Sequence, residues 1–160
     1  MPTDKKLHRK VPETTDKNTT PQGVYGQKIK EDVPEYDLAG SEVLIKGNNN
    51  SFIILGRDRN STKASGAGGR GFTQCGSIDL VAGLDSSNGP SQKLRGPNFF
   101  TDAARIYITQ KGKIDDYFGL AKGSRLGESK WRSGVAMKAD QIAIHGSNHV
   151  KIVTGKARTR

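Results

Sequence analysis

The stretch Gly134-Val-Ala-Met-Lys-Ala-Asp-Gln-Ile-Ala-Ile-His-Gly-Ser-Asn-His-Val-Lys-Ile-Val-Thr-Gly155 decides the class of fold. It holds three short alternating patterns, which are Val135 with Met137, Ile142 with Ile144, and Val150 with Ile152. Because alternate residues of a strand point to opposite faces, each pattern predicts a strand with only two apolar side chains for a core. Strands this thin favour a core that is completed by stacked turns or by further copies of the chain.

Similar thin strands are predicted upstream. Residues 41–56 predict a hairpin with its turn at residues 46–50, because Gly and Asn tolerate the positive φ of tight turns. Residues 78–82 predict a further strand. Residues 104–109 predict another, with Ile106 and Ile108 facing inward and Arg105 and Tyr107 facing outward.

The regions between these strands predict long loops, at residues 57–76, 84–98 and 111–133, and no stretch fits a helix of ten residues or more. The expected fold is therefore all-β, with short strands and long loops. Its core is expected to be β-prism-like, β-solenoid-like or a small sandwich, shared in a homotrimer. The residues expected in that trimer core are Ile106, Ile108, Val135, Met137, Ile142, Ile144, Val150 and Ile152.

The composition agrees with a shared core. Only 32% of the 160 residues are hydrophobic, and 20 are glycine. Typical globular domains reach about 45–50% on a count that includes glycine. A single copy can therefore bury little apolar surface by itself.

The chain divides into three parts by composition. Residues 1–40 are polar, contain four prolines and show no strand or helix period, so we expect an extended N-terminal arm. Residues 41–155 form the expected β-rich assembly domain, and residues 156–160 a basic C-terminal tail. The apolar residues of the arm are its candidate partner-binding residues, namely Val24, Tyr25, Ile29, Val33, Tyr36 and Leu38.

The positive charge belongs to the assembly domain and the tail. Residues 1–40 carry seven Lys or Arg and seven Asp or Glu, so residues 41–160 hold the remaining nineteen against nine, which accounts for the net charge of +10. A basic surface attracts nucleic acid, anionic lipid or an acidic protein lattice. No nucleic-acid-binding signature accompanies it, and no apolar run approaches the ~20 residues that span a membrane. Neither partner is therefore expected.

No residue set points to catalysis or to a cofactor. Gly66-Ala-Gly-Gly-Arg-Gly71 has the spelling of a dinucleotide loop, but the following residues predict a strand where that site needs a helix. Cys75 is the only cysteine and has no basic neighbour to activate it. His145 and His149 flank a turn, so they are metal candidates only where a threefold axis brings copies together. Asp58, between Arg57 and Arg59, and Asp102, before Arg105, are candidates for ion pairs across subunits.

Several segments together resemble small virion structural proteins of tailed bacteriophages. They include Asn49-Asn-Ser-Phe-Ile-Ile-Leu-Gly-Arg-Asp-Arg59, Asp102-Ala-Ala-Arg-Ile-Tyr-Ile-Thr-Gln110 and Met137-Lys-Ala-Asp-Gln-Ile-Ala-Ile-His-Gly146. The resemblance covers residues 40–155 and implies a β-rich, homotrimeric component without known catalysis. The final strand-turn pattern also looks like the intertwined β-structures of phage fibres and spikes, although it lacks their strict eight-residue glycine repeat.

The expected function is that of a non-enzymatic virion protein, made in the host cytoplasm. The first hypothesis is a trimeric capsid decoration (cement) protein that binds the major capsid protein, or another virion protein, through its N-terminal arm. The second is a tail, baseplate or collar component, such as a spike or a fibre-attachment protein. The third is a basic nucleic-acid-binding module, which a steep dependence of binding on salt would reveal.

Overall fold

The protein is described from a computed structural model that covers residues 32–89, 91–121 and 130–155. Seven strands lie in these ranges: β1 Glu35–Tyr36, β2 Val43–Lys46, β3 Ser51–Arg57, β4 Gly76–Ala82, β5 Leu94–Arg95, β6 Ala104–Gly112 and β7 Arg132–Lys138. Two helices of a single turn accompany them, α1 Gly66–Gly69 and α2 Ile114–Phe118, with a 3-10 turn at Ser86–Asn88. The prediction of a mostly β chain is confirmed.

The main element is a five-stranded antiparallel sheet in the order β2-β3-β4-β6-β7. The predicted hairpin is its first part, since β2 pairs with β3 and Asn50 supplies a positive φ of 50° in the turn. Strands β1 and β5 form a separate, two-stranded parallel pair. The sheet thus follows chain order, with longer connections only after β3, β4 and β6.

These longer connections fold over one face of the sheet and create the core. In the first core cluster, Tyr36 and Leu84 pack on Phe52, Ile54 and Val81 of the sheet. In the second, Phe99 and Tyr117 pack on Tyr107 of β6. The loops predicted from the sequence therefore form the second layer of the protein, with no second large sheet among the residues described.

Several predictions of architecture are wrong for the single chain. Residues 32–89, 91–121 and 130–155 form neither a solenoid nor a closed barrel, and loops with short helices stand where a sandwich has its second sheet. The predicted strands at Ile142–Ile144 and Val150–Ile152 are absent, and these residues are exposed without regular secondary structure. A strand needs a neighbouring strand for its backbone hydrogen bonds, and no strand in the described ranges pairs with these residues.

The boundary of the N-terminal arm also differs from the prediction. Residues 1–31 lie outside the described residues, whereas residues 32–40 contact the body of the protein. Tyr36 belongs to the first core cluster, and β1 is paired with β5. None of the helices in the described ranges is long and apolar enough to cross a bilayer.

Candidate assembly surface

Five strands of the sheet place aliphatic side chains on the face that the loops leave uncovered. Each strand contributes two of them, two residues apart, which puts both on the same side. The strand register aligns the pairs into two rows across the sheet. One row is Val43, Leu55, Ile78, Ile108 and Val135, and the other is Ile45, Ile53, Leu80, Ile106 and Met137. We call these ten residues the aliphatic face.

Every side chain of the aliphatic face is substantially exposed in the single chain. Exposure runs from 37% at Leu80 in the middle of the sheet to 67% at Val135 on its edge strand. Single exposed aliphatic residues are ordinary on protein surfaces, but a continuous patch of this kind marks an interaction site. The row beyond Ile78 and Ile108 holds Gly76 and Gln110, so the patch has a polar rim on that side.

Covering this face would stabilise an assembly considerably. A fully buried aliphatic side chain contributes about 1.5–3 kcal/mol, so covering the exposed half of ten contributes on the order of 10 kcal/mol per copy. At about 25 cal/mol per Å², this energy corresponds to roughly 400 Å² of apolar surface. Each partner in a stable interface buries about 800 Å² in total. The aliphatic face thus supplies roughly half of such an interface.

The opposite face of the sheet holds buried charged groups beside the two apolar core clusters. Asp58, just after β3, is fully buried and accepts four hydrogen bonds. Its Oδ1 accepts from the hydroxyls of Tyr107 at 2.6 Å and Thr109 at 3.0 Å. Its Oδ2 accepts from the hydroxyl of Tyr117 at 2.6 Å and the backbone N–H of Ala67 at 2.8 Å. The carboxylate therefore ties β6 to both helices, and its lone pairs are engaged.

A second buried network centres on Arg105 of β6. Its guanidinium lies 3.1 Å from Asp79 Oδ1 and 2.9 Å from Asp102 Oδ2, and all three side chains are at most 6% exposed. The same group lies over the ring of Phe99, 4.0 Å from the centroid. One arginine thus joins β4, β6 and the loop before β6 through ion pairs and a cation–π contact.

Burial changes the protonation equilibria of these groups. It raises the pKa of Asp79 to about 6, and the lowering effect of Arg105 only partly opposes this change. Burial likewise raises the pKa of Asp102. For Tyr107 and Tyr117, burial raises the pKa well above the usual range, and Asp58 raises it further. Both hydroxyls therefore stay protonated and can donate to Asp58.

Lys138 joins the end of β7 to the loop that covers the core. Its ammonium donates to the carbonyls of Phe99 at 2.9 Å, Phe100 at 2.9 Å and Asp102 at 2.8 Å. These hydrogen bonds hold Lys138, the last residue of β7, against the loop at residues 99–102.

The structure contradicts the outward face predicted for β6, whereas the shared core that Ile106 and Ile108 were predicted to face stays a prediction. Arg105 is 2% and Tyr107 is 1% exposed, whereas Ile106 is 38% and Ile108 is 40% exposed. The alternation was predicted, but the assignment of Arg105 and Tyr107 to the outside is wrong, because Arg105 forms ion pairs with Asp79 and Asp102 inside and Tyr107 donates to Asp58. The ion pairs expected across subunits at Asp58 and Asp102 are also wrong, since both carboxylates are engaged within the chain.

The residues predicted for a trimer core fall into two groups. Ile106, Ile108, Val135 and Met137 lie together on the aliphatic face. The other four, Ile142, Ile144, Val150 and Ile152, follow the last strand and are 51% to 83% exposed. Sequence reasoning did not assign six residues of the face to a site, although their alternation was visible: Val43, Ile45, Ile53, Leu55, Ile78 and Leu80.

The candidate partner-binding and metal-binding residues are scattered. Val24, Tyr25 and Ile29 lie outside the described residues. Val33 packs against the first core cluster beside Tyr36, and Leu38 is 42% exposed. His145 and His149 are exposed, and no cluster of three or more possible metal ligands occurs in the part of the chain that the structure describes.

No protein-family model, curated protein or solved structure matches this chain. The resemblance to small virion proteins of tailed bacteriophages stays a prediction.

Proposed function

We propose that the chain is a non-enzymatic structural protein that works as a homotrimer. The observation that carries this proposal is the aliphatic face, with ten in-register side chains that the single chain leaves exposed. In the trimer, three sheets form the sides of a β-prism and turn these faces toward a common axis. Each copy then contributes one third of a core that it cannot complete alone.

The buried polar groups support a structural role. Asp58 accepts hydrogen bonds at both oxygens, and Asp79 and Asp102 share Arg105. These buried contacts hold the loop layer against the sheet. Because the three carboxylates are buried, none of them is accessible to a substrate as an acid or a base. In this account the loop layer holds the strands of the aliphatic face in register for self-association.

The specific role that we propose is capsid decoration in a tailed bacteriophage. It is supported by the resemblance of residues 40–155 to small virion proteins and by the basic charge, which suits an acidic capsid exterior. A protein that binds only the assembled lattice stabilises it by mass action. Three N-terminal segments on one trimer add their weak contacts as avidity. In this account the protein is made in the host cytoplasm and functions in the virion.

The test of this role is a deletion of residues 1–31. The deletion stops before residue 32, because Tyr36 and β1 belong to the folded body. The shortened protein should remain a trimer but should no longer co-sediment with phage heads that lack decoration. Full binding by the shortened trimer would contradict the arm model. The matched control is Ile108→Lys, which keeps the arm but disrupts the shared core. It shows how much binding is lost when only the avidity of the trimer is removed.

A tail, baseplate or collar component is the second candidate. The observation that favours it is the segment that follows β7, residues 139–155, which carries exposed aliphatic side chains. A chain that continues beyond the sheet in this way suits an elongated assembly such as a spike. Electron microscopy of particles that carry a tagged copy would separate the candidates. Label over the head surface supports decoration, and label at the tail supports the second role.

A further inference from the structure

Residues 139–155, which we call the C-terminal segment, follow the last strand and lack regular secondary structure. Every residue from Asp140 to Gly155 is exposed. No hydrogen bond or ion pair joins this segment to any other part of the described chain. Five of its exposed side chains are nevertheless aliphatic, namely Ile142, Ile144, Val150, Ile152 and Val153.

The spacing of these residues matches that of the sheet. Ile142 and Ile144 are two residues apart, as are Val150 and Ile152, so each pair would point to one side of an extended chain. The second pair follows the first after eight residues, with a bend at Ser147 and Asn148 between them. The segment thus repeats the two-residue aliphatic pattern that each sheet strand presents on the aliphatic face.

The first residues of the segment also lie next to one end of the aliphatic face. A groove of about 430 Å³ is lined by Leu80, Ile106 and Met137 of that face and by Ile142 and Ala143 of the segment. If the aliphatic faces of several copies share one axis, their C-terminal segments emerge beside that axis. Symmetry then brings identical segments together.

We propose that the C-terminal segments of the copies pair with one another to form a stem that extends the shared core beyond the sheets. The aliphatic pairs point to the common axis, and the backbone groups bond from copy to copy. This inference rests on the proposed homotrimer. At the same energy per side chain and per Å² as for the aliphatic face, the four side chains Ile142, Ile144, Val150 and Ile152 add roughly 200 Å² of apolar surface per copy.

Pairing between segments satisfies the backbone better than the alternative arrangement. A lone segment laid on a neighbour's aliphatic face would leave its N–H and C=O groups, which point sideways from an extended chain, without a strand to pair with. Buried backbone groups without partners cost free energy and are rare in proteins. Strand pairing between copies satisfies these groups while it buries the aliphatic pairs.

A single-cysteine variant tests the stem in the full-length chain. Ile144→Cys places a thiol on the side that faces the axis, and His145→Cys places one on the opposite side as the matched control. Under oxidation by diamide, Ile144→Cys should give disulfide-linked chains in most assemblies, and His145→Cys several-fold fewer. The native Cys75 is fully buried, so the unmodified protein serves as the background.

Hydrogen exchange supplies a second readout without substitution. Amides of residues 141–153 should exchange on the order of 100-fold or more slowly than in a free peptide of the same sequence. A trimer whose segment exchanges fully at the first time point and whose Ile144→Cys variant stays unlinked would overturn the stem but leave the proposed function standing. A full-length protein that is monomeric by sedimentation would overturn both.

Discussion

Ile78 on β4 and Ile108 on β6 lie directly opposite each other in the strand register, and their side chains are 42% and 40% exposed. Both lie on interior strands of the sheet, β4 at its centre and β6 next to the edge strand β7. A β-branched pair at the centre of a sheet is normally covered, because that environment is where such residues stabilise a fold most. Its exposure in the single chain is the main evidence for a shared core.

Ile108→Lys should dissociate the assembly without unfolding the chain. The lysine replaces a half-exposed side chain in the isolated chain but would place an uncompensated charge in the shared core, which costs several kcal/mol. We expect the association constant to fall at least about 100-fold. Sedimentation velocity measures the loss, and far-UV circular dichroism should stay unchanged.

The matched control for this prediction is Gln110→Lys, on the same strand and the same side but in the polar rim. It introduces the same charge beyond the two aliphatic rows and should leave the assembly largely intact. Equal dissociation by both variants would show that added charge, and not the aliphatic face, is responsible.

Much of the strand pattern was predictable from the sequence, but the assignment of faces was not. Alternation and the Asn-rich turn predicted the hairpin and β6 correctly, since both signals are local. Arg105 and Tyr107 were expected outside because charged and hydroxyl-bearing side chains usually face solvent. Their partners, Asp79, Asp102 and Asp58, come from distant positions, and no local signal identifies such pairs.

The strands predicted near the C-terminus also show that local sequence signals do not identify distant partners. Ile142, Ile144, Val150 and Ile152 have strand spacing, yet the single chain leaves them unpaired. Spacing indicates which side chains can share a face, but a strand forms only where a neighbouring backbone is available. The aliphatic face itself was visible in the alternation of β2, β3 and β4, and could have been listed from the sequence.

Asp58→Asn should destabilise the body strongly. The amide nitrogen would face donors that now bond to a carboxylate oxygen, so at least one buried donor loses its acceptor. Hydrogen bonds to charged groups contribute about 1.5–3 kcal/mol each, and we expect a loss of about 3–5 kcal/mol in the free energy of unfolding. Urea denaturation measures it under conditions where the protein is a single species.

The control for this variant is Asp37→Asn. Asp37 forms a partly exposed ion pair with Lys63 at 2.7 Å, and such pairs contribute at most about 1 kcal/mol. A similar loss from both substitutions would contradict the central place of Asp58 in the body.

The stability of the body should fall as pH rises from about 4 to about 6. The pKa of Asp79 is about 6 in the folded protein, above its ordinary value of 3.8, so the folded state binds this proton more tightly than the unfolded state. The stabilisation that this proton gives the folded state is fully present below about pH 4 and is lost as the pH rises through about 6. Above that pH, the Asp79 carboxyl no longer changes the stability. Asp102, with a pKa raised in the same direction, adds to the slope.

Asp79→Asn should reduce that slope, because the amide does not titrate while Arg105 keeps its contact with Asp102. Thermal unfolding between pH 4 and pH 7 tests this expectation. Glu35→Gln, at an exposed position, is the control that should retain the wild-type slope. An unchanged slope in Asp79→Asn would mean that other groups produce it.

Lys138→Met should loosen the loop layer next to the C-terminal segment. The change keeps the length of the side chain but removes a donor that bonds to three carbonyls. We expect a loss of about 2–4 kcal/mol in unfolding free energy. The control is Lys93→Met at an exposed position, which should change the free energy of unfolding by less than about 0.5 kcal/mol. Faster amide exchange in residues 98–102 would locate the effect.

The mass of the full-length protein in solution tests the shared core most directly. Sedimentation equilibrium at micromolar concentration should give three times the chain mass of 17.3 kDa. Ile108→Lys should reduce it to the mass of one chain. A wild-type protein that stays monomeric at these concentrations, with the aliphatic face exposed to water, would contradict the account.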